Sequence, residues 1–176
     1  MKFLRMTLIT FILIGAIGCS RSGGVFIIYL NGEVKVNGIA ANTGAVEGKE
    51  ISINTGKNSS LIAMIGSKAV FALSEETNII INKDFITLIS GRIIASTDNE
   101  TVIRSRELSV ETGKSLLELI SKSNVSVINN YTGELFVKSI TSGSVTGGLV
   151  LNENFSIELY EKAVEAKQVA QQSALK

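Results

Sequence analysis

Few residues of this chain combine the types and the spacing that chemistry requires. Thr112-Gly113-Lys114-Ser115 has the form of the end of a phosphate-binding loop, but that loop needs a glycine five residues before Gly113, where Leu108 stands. Ser173 and Lys176 have the spacing of a serine nucleophile and its base, but they lie in the last four residues, where we expect no enclosing pocket. The sequence therefore predicts neither nucleotide binding nor nucleophilic catalysis.

Metal and acid–base chemistry find no better support. The chain has no histidine and one cysteine, which removes His-containing zinc sites, His-based triads and any internal disulfide. Its tight acidic clusters, Glu75-Glu76 and Asp98-Asn99-Glu100, lack the alternating ligands and the central glycine of a calcium loop. We therefore predict no metal, no cofactor and no enzymatic activity, with solvated turns at both clusters.

The charge balance argues against nucleic acid as a partner. Seventeen Lys and Arg residues face sixteen Asp and Glu residues, a formal net charge of +1, whereas proteins that bind phosphate backbones carry a basic surface. Lys57, Lys114 and Lys122 would form a modest basic patch only if neighbouring repeats stack in register. A dispersed, solubilising set of charges is the simpler interpretation.

The first residues have the features of a secretory signal peptide. Lys2 and Arg5 give a positive start, and residues 6–18 form an uncharged apolar run of thirteen residues. A membrane-spanning helix needs about twenty such residues, so the run is short for an anchor and suits a signal-peptide core. We therefore predict a signal peptide over residues 1–18, with the mature protein outside the cytoplasm.

The end of this segment, Ala16-Ile17-Gly18-Cys19, resembles the lipobox of bacterial lipoproteins. The resemblance implies that Cys19 is acylated and becomes the mature N-terminus, with residues 19–24 as a tether and the membrane as a partner through the lipid. It also implies a location at the outer membrane or the periplasmic face. An uncleaved hydrophobic anchor is the alternative, and it too leaves the rest of the chain outside the cytoplasm.

From residue 25 to residue 157 the pattern is strand, turn, strand. Residues 33–37 and 50–54 alternate strictly between polar and apolar, which is typical of strands with one wet face. Other runs are apolar on both faces and predict strands buried within a stack of sheets; these are residues 25–30, 61–65, 69–73, 79–81 and 85–89. About a dozen strands at this spacing predict an all-β domain of stacked short antiparallel strands, either solenoid-like or sandwich-like.

Glycine punctuates these strands, because tight turns need the positive φ that glycine adopts freely. We predict structural turn glycines at Gly32, Gly48, Gly56 and Gly113.

The end of the chain departs from the pattern, since residues 158–176 are rich in Ala, Glu, Lys and Gln. That composition predicts a C-terminal helix that docks lightly.

Most aromatic residues lie inside the apolar runs, so we predict that they pack in the core rather than form a stacking platform for sugars or bases. Tyr131, in a polar turn, is the candidate for exposure. The aromatic residues considered are Phe26, Tyr29, Phe71, Phe85, Tyr131, Phe136 and Phe155.

One strand–turn–strand unit occurs twice. Residues 51–57 (ISINTGK) and 108–114 (LSVETGK) lie 57 residues apart, share Ser, Thr, Gly and Lys in register, and are each followed by an apolar strand. A repeated strand module predicts stacking, in which neighbouring units cover each other's faces.

A pattern of turns and strands extends over residues 32–38, Val46-Glu47-Gly48, Ile51, Thr55-Gly56, Ser59-Ser60, Gly66-Ser67 and Thr77. With this pattern, the region from residue 25 to residue 95 resembles the FecR domain. Lys49 stands where that family has aspartate, and two extra residues separate Gly48 from Thr55. The resemblance implies an extracytoplasmic all-β module whose motif contains no chemical group. The best-known members also have a cytoplasmic segment and a spanning helix for a sigma-factor relay, which we do not expect from five residues before the apolar run.

These observations predict a non-enzymatic envelope lipoprotein with a FecR-like domain. Its expected role is that of a protein-binding, assembly or signalling module that pairs with another envelope protein through an open strand edge. The alternative is a structural lipoprotein that contacts peptidoglycan or polysaccharide. Neither interpretation includes a nucleotide or a nucleic acid.

Overall fold

The computed structural model describes residues 24–98, 100–123, 125–141, 144–151 and 156–160. The regular structure in these residues consists of β-strands, which confirms the predicted all-β fold. Among them there is no helix with the length and apolar character needed to cross a membrane. The predicted signal peptide, Cys19, Phe155 and residues 161–176 lie outside the described part of the chain.

Sixteen strands follow one another with short connections in the described residues. They are β1 (Val25–Asn31), β2 (Val34–Val36), β3 (Ile39–Ala40), β4 (Gly44–Val46), β5 (Glu50–Thr55), β6 (Ser60–Ile65), β7 (Ala69–Leu73), β8 (Asn78–Asn82), β9 (Phe85–Thr97), β10 (Thr101–Arg104), β11 (Leu108–Thr112), β12 (Ser115–Lys122), β13 (Val125–Thr132), β14 (Leu135–Thr141), β15 (Ser144–Leu151) and β16 (Ser156–Tyr160).

The strands form one sheet that curls into two layers. The first layer, called the first sheet, has the order β4-β1-β6-β7-β9-β12-β13-β16. The second sheet has the order β3-β2-β5-β8-β9-β10-β11-β14-β15. Strand β9 belongs to both, since its first half lies in the second sheet and its second half lies in the first.

The path of β9 explains the one parallel pairing in the described residues. The strand crosses into the first sheet at Gly91, and the chain then returns to the second sheet as β10, beside the first half of β9. Because the chain has gone once around the core, β10 runs in the same direction as its neighbour; every other recorded pair is antiparallel.

The core lies between the two sheets. Alternate residues of each strand point inward, as the strand period of two requires, and they merge into one cluster of buried apolar side chains. Both sheets contribute to this cluster, which makes the domain sandwich-like. Its largest fully buried members are Phe71, Ile27, Ile51, Ile53, Leu61, Leu73, Ile79, Ile86, Leu88, Ile93, Ile103 and Leu108.

Where β9 turns from one sheet into the other, a glycine packs against a buried hydroxyl. Gly91 has a φ of 95°, and a Cβ atom there would stand 2.5 Å from Thr77 Cα. The Thr77 hydroxyl accepts a hydrogen bond from Arg92 N at 3.0 Å, and Thr77 N donates to Thr55 Oγ1 at 2.9 Å. These hydroxyls satisfy backbone groups that the corner removes from the strand ladders.

The same arrangement recurs at two other corners. At Gly32, a Cβ would lie 3.0 Å from Ser59 Cα, and Ser59 Oγ accepts from the next backbone N–H after Gly32 at 2.8 Å. At Gly133, a Cβ would lie 3.0 Å from Ser115 Oγ, and this hydroxyl donates to the carbonyl of the residue after Gly133 at 3.4 Å. At each of these three corners, a glycine therefore packs against a serine or threonine that is distant in the sequence.

The corners lie at two opposite rims of the sandwich. The half of β9 in the first sheet runs from Gly91 to Thr97, and we name the rims after these two residues. Gly32, Thr55 and Thr77 lie at the Gly91 rim. Ser115 pairs with Thr97, so the corner before β12 and the corner after β13 lie at the Thr97 rim.

The repeated unit places its two copies in equivalent positions. Both β5 and β11 lie in the second sheet and lead through a corner into the first. Thr55 Oγ1 donates to Ser74 O at 2.6 Å, and Thr112 Oγ1 donates to Thr101 O at 3.2 Å. The copies lie at opposite rims, however, so the expectation that they stack on each other was wrong.

The four predicted turn glycines lie in connections between strands, but only Gly32 is at positive φ, at 78°. Gly56 is not, because the positive φ of its turn falls at Asn58, at 54°. A Cβ at Gly56 would lie 3.3 Å from the Cβ of Glu33, so close packing favours a small residue there. Gly48 and Gly113 are not at positive φ either, so the predicted conformation was wrong for these two glycines as well.

The last described strand replaces the beginning of the predicted helix. Residues 158–160 belong to β16, which pairs with β13 from Ser156 opposite Asn129 to Tyr160 opposite Val125. Backbone pairing with the open edge of β13 outweighs the local helix preference of these residues.

Replacement of Gly91 by alanine is expected to destabilise the fold by about 2–4 kcal/mol, because the new Cβ meets the Thr77 backbone and φ is unfavourable for alanine. Gly113→Ala is the matched control, since no atom lies within 4 Å of a Cβ at that site. Urea unfolding of both variants measures the effect. Equal free energies of unfolding for the two variants would contradict the proposed role of the corner.

Candidate functional site

The outer face of the first sheet has a row of apolar residues, one from each of four strands. Phe26, Met64, Val70 and Leu116 succeed one another through the registers of β1, β6, β7 and β12, with Ser96 of β9 between the last two. Phe26, Val70 and Leu116 are exposed to 49%, 44% and 36%. We call these four residues the apolar row; they lie near the Thr97 rim.

Further large apolar side chains flank this row. Ile28, Tyr29 and Ile62 are also exposed on β1 and β6. The sequence had predicted burial on both faces for the apolar runs 25–30, 61–65, 69–73 and 85–89. This prediction was wrong, because each run has at least one exposed large apolar side chain. In the described part of the chain, no second layer covers the outward residues of β1 and β6. These residues therefore form an exposed apolar surface of the kind that marks an interaction site.

A polar cluster interrupts the same face at Glu118. Its carboxylate is almost fully buried, although its β12 neighbours on either side point into the core. Asn129 Nδ2 and Tyr131 OH donate to Glu118 Oε2 at 2.6 and 2.8 Å, and Arg92 Nε donates to Oε1 and pairs with its charge. Three strands, β9, β12 and β13, thus contribute to one charged hydrogen-bond network.

The network determines how its members titrate. Burial raises the pKa of the Glu118 carboxyl, but the hydrogen bonds from Asn129 and Tyr131 and the Arg92 guanidinium lower it further, so that the pKa lies below its ordinary value. The hydrogen bond to Glu118, together with burial, raises the pKa of Tyr131 above the ordinary tyrosine value. The cluster therefore keeps an ionised carboxylate at neutral pH.

The outer face of the second sheet has a different chemistry. Lys138 pairs with Glu111 on the neighbouring strand and lies 4.9 Å from the centre of the Phe136 ring. Arg104 lies 4.0 Å from the centre of the Phe85 ring. Charged groups packed on aromatic rings make this face more polar than that of the first sheet.

Strand β15 forms a long edge of the second sheet. In the described residues it pairs only with β14, and its sequence, SVTGGLVL, contains no charge and no proline. The other edge strands, β3, β4 and β16, have two, three and five residues, against eight for β15. Natural sheets usually shorten, charge or cover their edges, so β15 is the edge best suited to pair with another strand.

The direction of the backbone groups on this edge follows from one hydrogen bond. Ile140 N donates to the β10–β11 connection at 2.6 Å, so this N–H faces away from β15. Because backbone groups alternate in direction along β14, Ile140 and its partner Val145 form a non-hydrogen-bonded pair, as do Phe136 and Val150. A register shift between Val137 and Ser139 places one extra residue in β15, so Val145 and Val150, five residues apart, face the same way. The N–H groups of Val145 and Val150 therefore point outward, toward any strand that adds to the edge.

A buried carboxyl fixes the β10–β11 connection to the first sheet. Ser126 Oγ donates to Glu107 Oε2 at 2.6 Å, and Ser105 Oγ lies 3.0 Å from Ser126 Oγ. The Glu107 residue is 7% exposed, and its Oε1 has no hydrogen-bond partner in the described residues. This cluster joins the two sheets at the Gly91 rim.

The described residues whose spacing in the sequence suggested a phosphate or metal site do not form such a site. The described residues contain no group of three or more acidic or thiol side chains that could hold a metal, and the Thr112–Ser115 turn is a corner between β11 and β12. A cavity of about 30 Å³, lined by Lys83, Asp84, Glu100 and their neighbours, has room for about one water molecule. Ser173 and Lys176 lie outside the described residues.

Two predictions about surface side chains have different outcomes. Tyr131 is exposed, as its turn had suggested, but Phe26, Tyr29 and Phe136 are exposed as well, so the prediction that these three pack in the core was wrong. Phe71 is buried and Phe85 half-buried. Strand alternation alone could not say which face had a covering layer.

The three candidate lysines are dispersed. Lys57 and Lys122 lie at the Gly91 rim, whereas Lys114 precedes Ser115 at the Thr97 rim. A strand of about seven residues, roughly 20 Å, separates the rims. The lysines therefore form no single basic patch.

The fold is similar to that of two solved structures. Two crystal structures of a putative anti-sigma factor from Parabacteroides distasonis match with TM-scores of 0.54 and 0.53, each at 13% sequence identity, over 64% and 62% of this chain. The matches cover 55% of those chains, so this chain corresponds to about half of their length. No protein-family model and no curated protein sequence matches the chain.

Glu118→Gln is expected to lower the free energy of unfolding at pH 7 by about 1–3 kcal/mol, because it removes the charge that Arg92 and the two hydrogen bonds stabilise. A carboxyl with a depressed folded-state pKa contributes stability above its unfolded pKa, about 4.3, and loses it as the pH falls through the folded value. The difference between wild type and variant should therefore shrink below about pH 4.3.

Urea unfolding across this pH range is the measurement. Glu33→Gln is the control, since Glu33 also has a lowered pKa through its pair with Lys35 but is exposed; little change is expected for it. A Glu118→Gln effect that stays constant between pH 7 and pH 2 would show that the charge is not what the network stabilises.

Proposed function

We propose that this chain is a non-catalytic protein-binding module of a signalling system, held at the membrane outside the cytoplasm by a lipid on Cys19. Its binding site in this proposal is the β15 edge, and its partner is an extended segment of another envelope protein. The observation that carries the proposal is the long, uncharged edge of β15, on a fold similar to that of solved anti-sigma factor structures.

Two independent resemblances support the signalling role. The residues from Gly32 to Thr77 resemble the FecR domain, and the fold of the described residues is similar to that of two crystal structures of a putative anti-sigma factor. At 13% identity the structural similarity concerns the fold alone. The regulatory role is the step that we propose for this chain.

The location rests on the sequence before the folded part. The apolar run and Ala16-Ile17-Gly18-Cys19 favour export, cleavage and acylation of the cysteine. One acyl chain gives reversible membrane binding, and more than one gives stable anchoring. A lipid-held module would meet its partner in two dimensions, which raises the effective concentration of a weak strand contact.

Strand addition fits the chemistry of the β15 edge. An added strand would accept hydrogen bonds from the outward N–H groups of Val145 and Val150 and donate to the carbonyls beside them. Val150 is 47% exposed and lies opposite the exposed Phe136, so an apolar side chain on the added strand would find neighbours on this face. Backbone hydrogen bonds would provide affinity and these side chains specificity.

A photo-crosslinking amino acid at Val150, in the full chain expressed in cells, is expected to give an adduct with one partner protein. Val145→Pro should reduce the adduct yield about tenfold, because loss of a single outward N–H and the bulk of the ring weaken strand pairing by roughly 1.4 kcal/mol. Proline is tolerated at an edge position whose N–H faces solvent, so folding should persist.

Two controls separate backbone pairing from other effects. Val145→Ala keeps the N–H and should retain the adduct. A crosslinker at Ile89, which has the same 47% exposure but lies away from the edge, should give little adduct. Adduct formation that is indifferent to Val145→Pro, with the melting temperature unchanged, would rule out strand addition at β15.

A further inference from the structure

The apolar row lies at the rim where the folded domain begins. Val25 is the first residue of β1 and pairs with Ile65, while Ala69, at the start of β7, pairs with Thr97. The chain therefore enters the first sheet at the Thr97 rim, next to Phe26 and Val70 of the apolar row.

The distance between this rim and Cys19 is limited by covalent geometry. Six residue steps separate Cys19 from Val25, and a fully extended chain spans at most about 3.3–3.6 Å per residue, or roughly 20 Å in total. If Cys19 is acylated, the Thr97 rim cannot lie further than this from the bilayer surface, whatever the conformation of the tether.

We infer that the apolar row and its neighbours on β1 and β6 rest on the lipid surface to which Cys19 is attached. The inference rests on the lipid anchor of the proposed function, and it assigns the exposed first sheet to the bilayer and leaves the β15 edge free for a protein partner. A lipid surface is thus the occupant of this face.

The composition of the face suits an interfacial contact. Phe26, Ile28, Tyr29, Ile62 and Val70 are each between 38% and 49% exposed, and they lie on three adjacent strands, β1, β6 and β7. Apolar and aromatic side chains are favoured at the boundary between headgroups and acyl chains, which proteins penetrate by about 5–10 Å. The tether limits the distance of the Thr97 rim from that boundary to roughly 20 Å, and the apolar row is an exposed apolar surface beside this rim.

Single-tryptophan variants test the contact, because the chain has no tryptophan of its own. The full-length protein is purified from bacterial membranes, acylation of Cys19 is measured by mass spectrometry, and the protein is reconstituted into phosphatidylethanolamine–phosphatidylglycerol vesicles that contain brominated phosphatidylcholine. The probes are Phe26→Trp and Val70→Trp in the row, with Ile89→Trp on the outer face of the second sheet as the matched control. Far-UV circular dichroism checks that each variant is folded.

We expect brominated lipid to reduce the emission of Phe26→Trp and Val70→Trp at least twofold and to leave Ile89→Trp nearly unchanged. Acylated protein in which neither row probe is quenched would overturn the inference while the proposed anchor stands. Shielding of the row probes from aqueous iodide without quenching by lipid would assign the face to a second copy or a protein partner, and would overturn it too. A mature protein without an acyl group would contradict the proposed anchor itself.

Discussion

The fold depends on how the chain passes between two sheets without leaving buried backbone groups unpaired. At each corner a strand leaves one ladder and joins another, and an N–H or carbonyl that loses its partner inside the domain costs free energy comparable to a lost hydrogen bond. Here the hydroxyls of Thr55, Ser59 and Thr77 provide the missing partners at the Gly91 rim. The glycines that pack against them let the backbone segments approach, so the two sheets can close over the core.

Once the corners are closed, the domain has two outer faces and a small number of edges, and these differ in kind. The outer face of the first sheet has the apolar row and the charged network around Glu118, whereas the outer face of the second sheet has charges packed on Phe85 and Phe136. The edge of β15 is long and uncharged. A domain with one surface suited to lipid and one suited to a strand can lie on a membrane and still bind a protein.

Much of the fold could be predicted from the sequence, because strand alternation is a local property. Residues 33–37 and 50–54 show it, and both regions form strands with alternating burial. The partners of these strands could not be predicted in the same way. The parallel pairing of β9 with β10 depends on the path of the chain around the core, and residues 158–160 form a strand because β13 offers an open edge to a segment with helix-forming composition.

The candidate surfaces were harder to predict than the strands. The outward position of Glu118 follows from its place between two inward leucines, but its burial depends on side chains from β9 and β13 that are far away in sequence. Likewise, the exposure of Phe26 and Ile62 depends on the absence of a covering layer among the described residues. For Gly56, the sequence located the turn, but which of its residues takes positive φ was decided by the turn geometry, at Asn58.

Residue-resolved amide hydrogen exchange on the isolated monomer is the most direct test of a sandwich with closed corners and one open edge. We predict that the Arg92 N–H, which donates a hydrogen bond to the Thr77 hydroxyl at 3.0 Å, exchanges only on global unfolding. The N–H groups of Val145 and Val150 should exchange as fast as in an unstructured peptide. Rapid exchange at Arg92, or strong protection at Val145 and Val150 in the monomer, would contradict it.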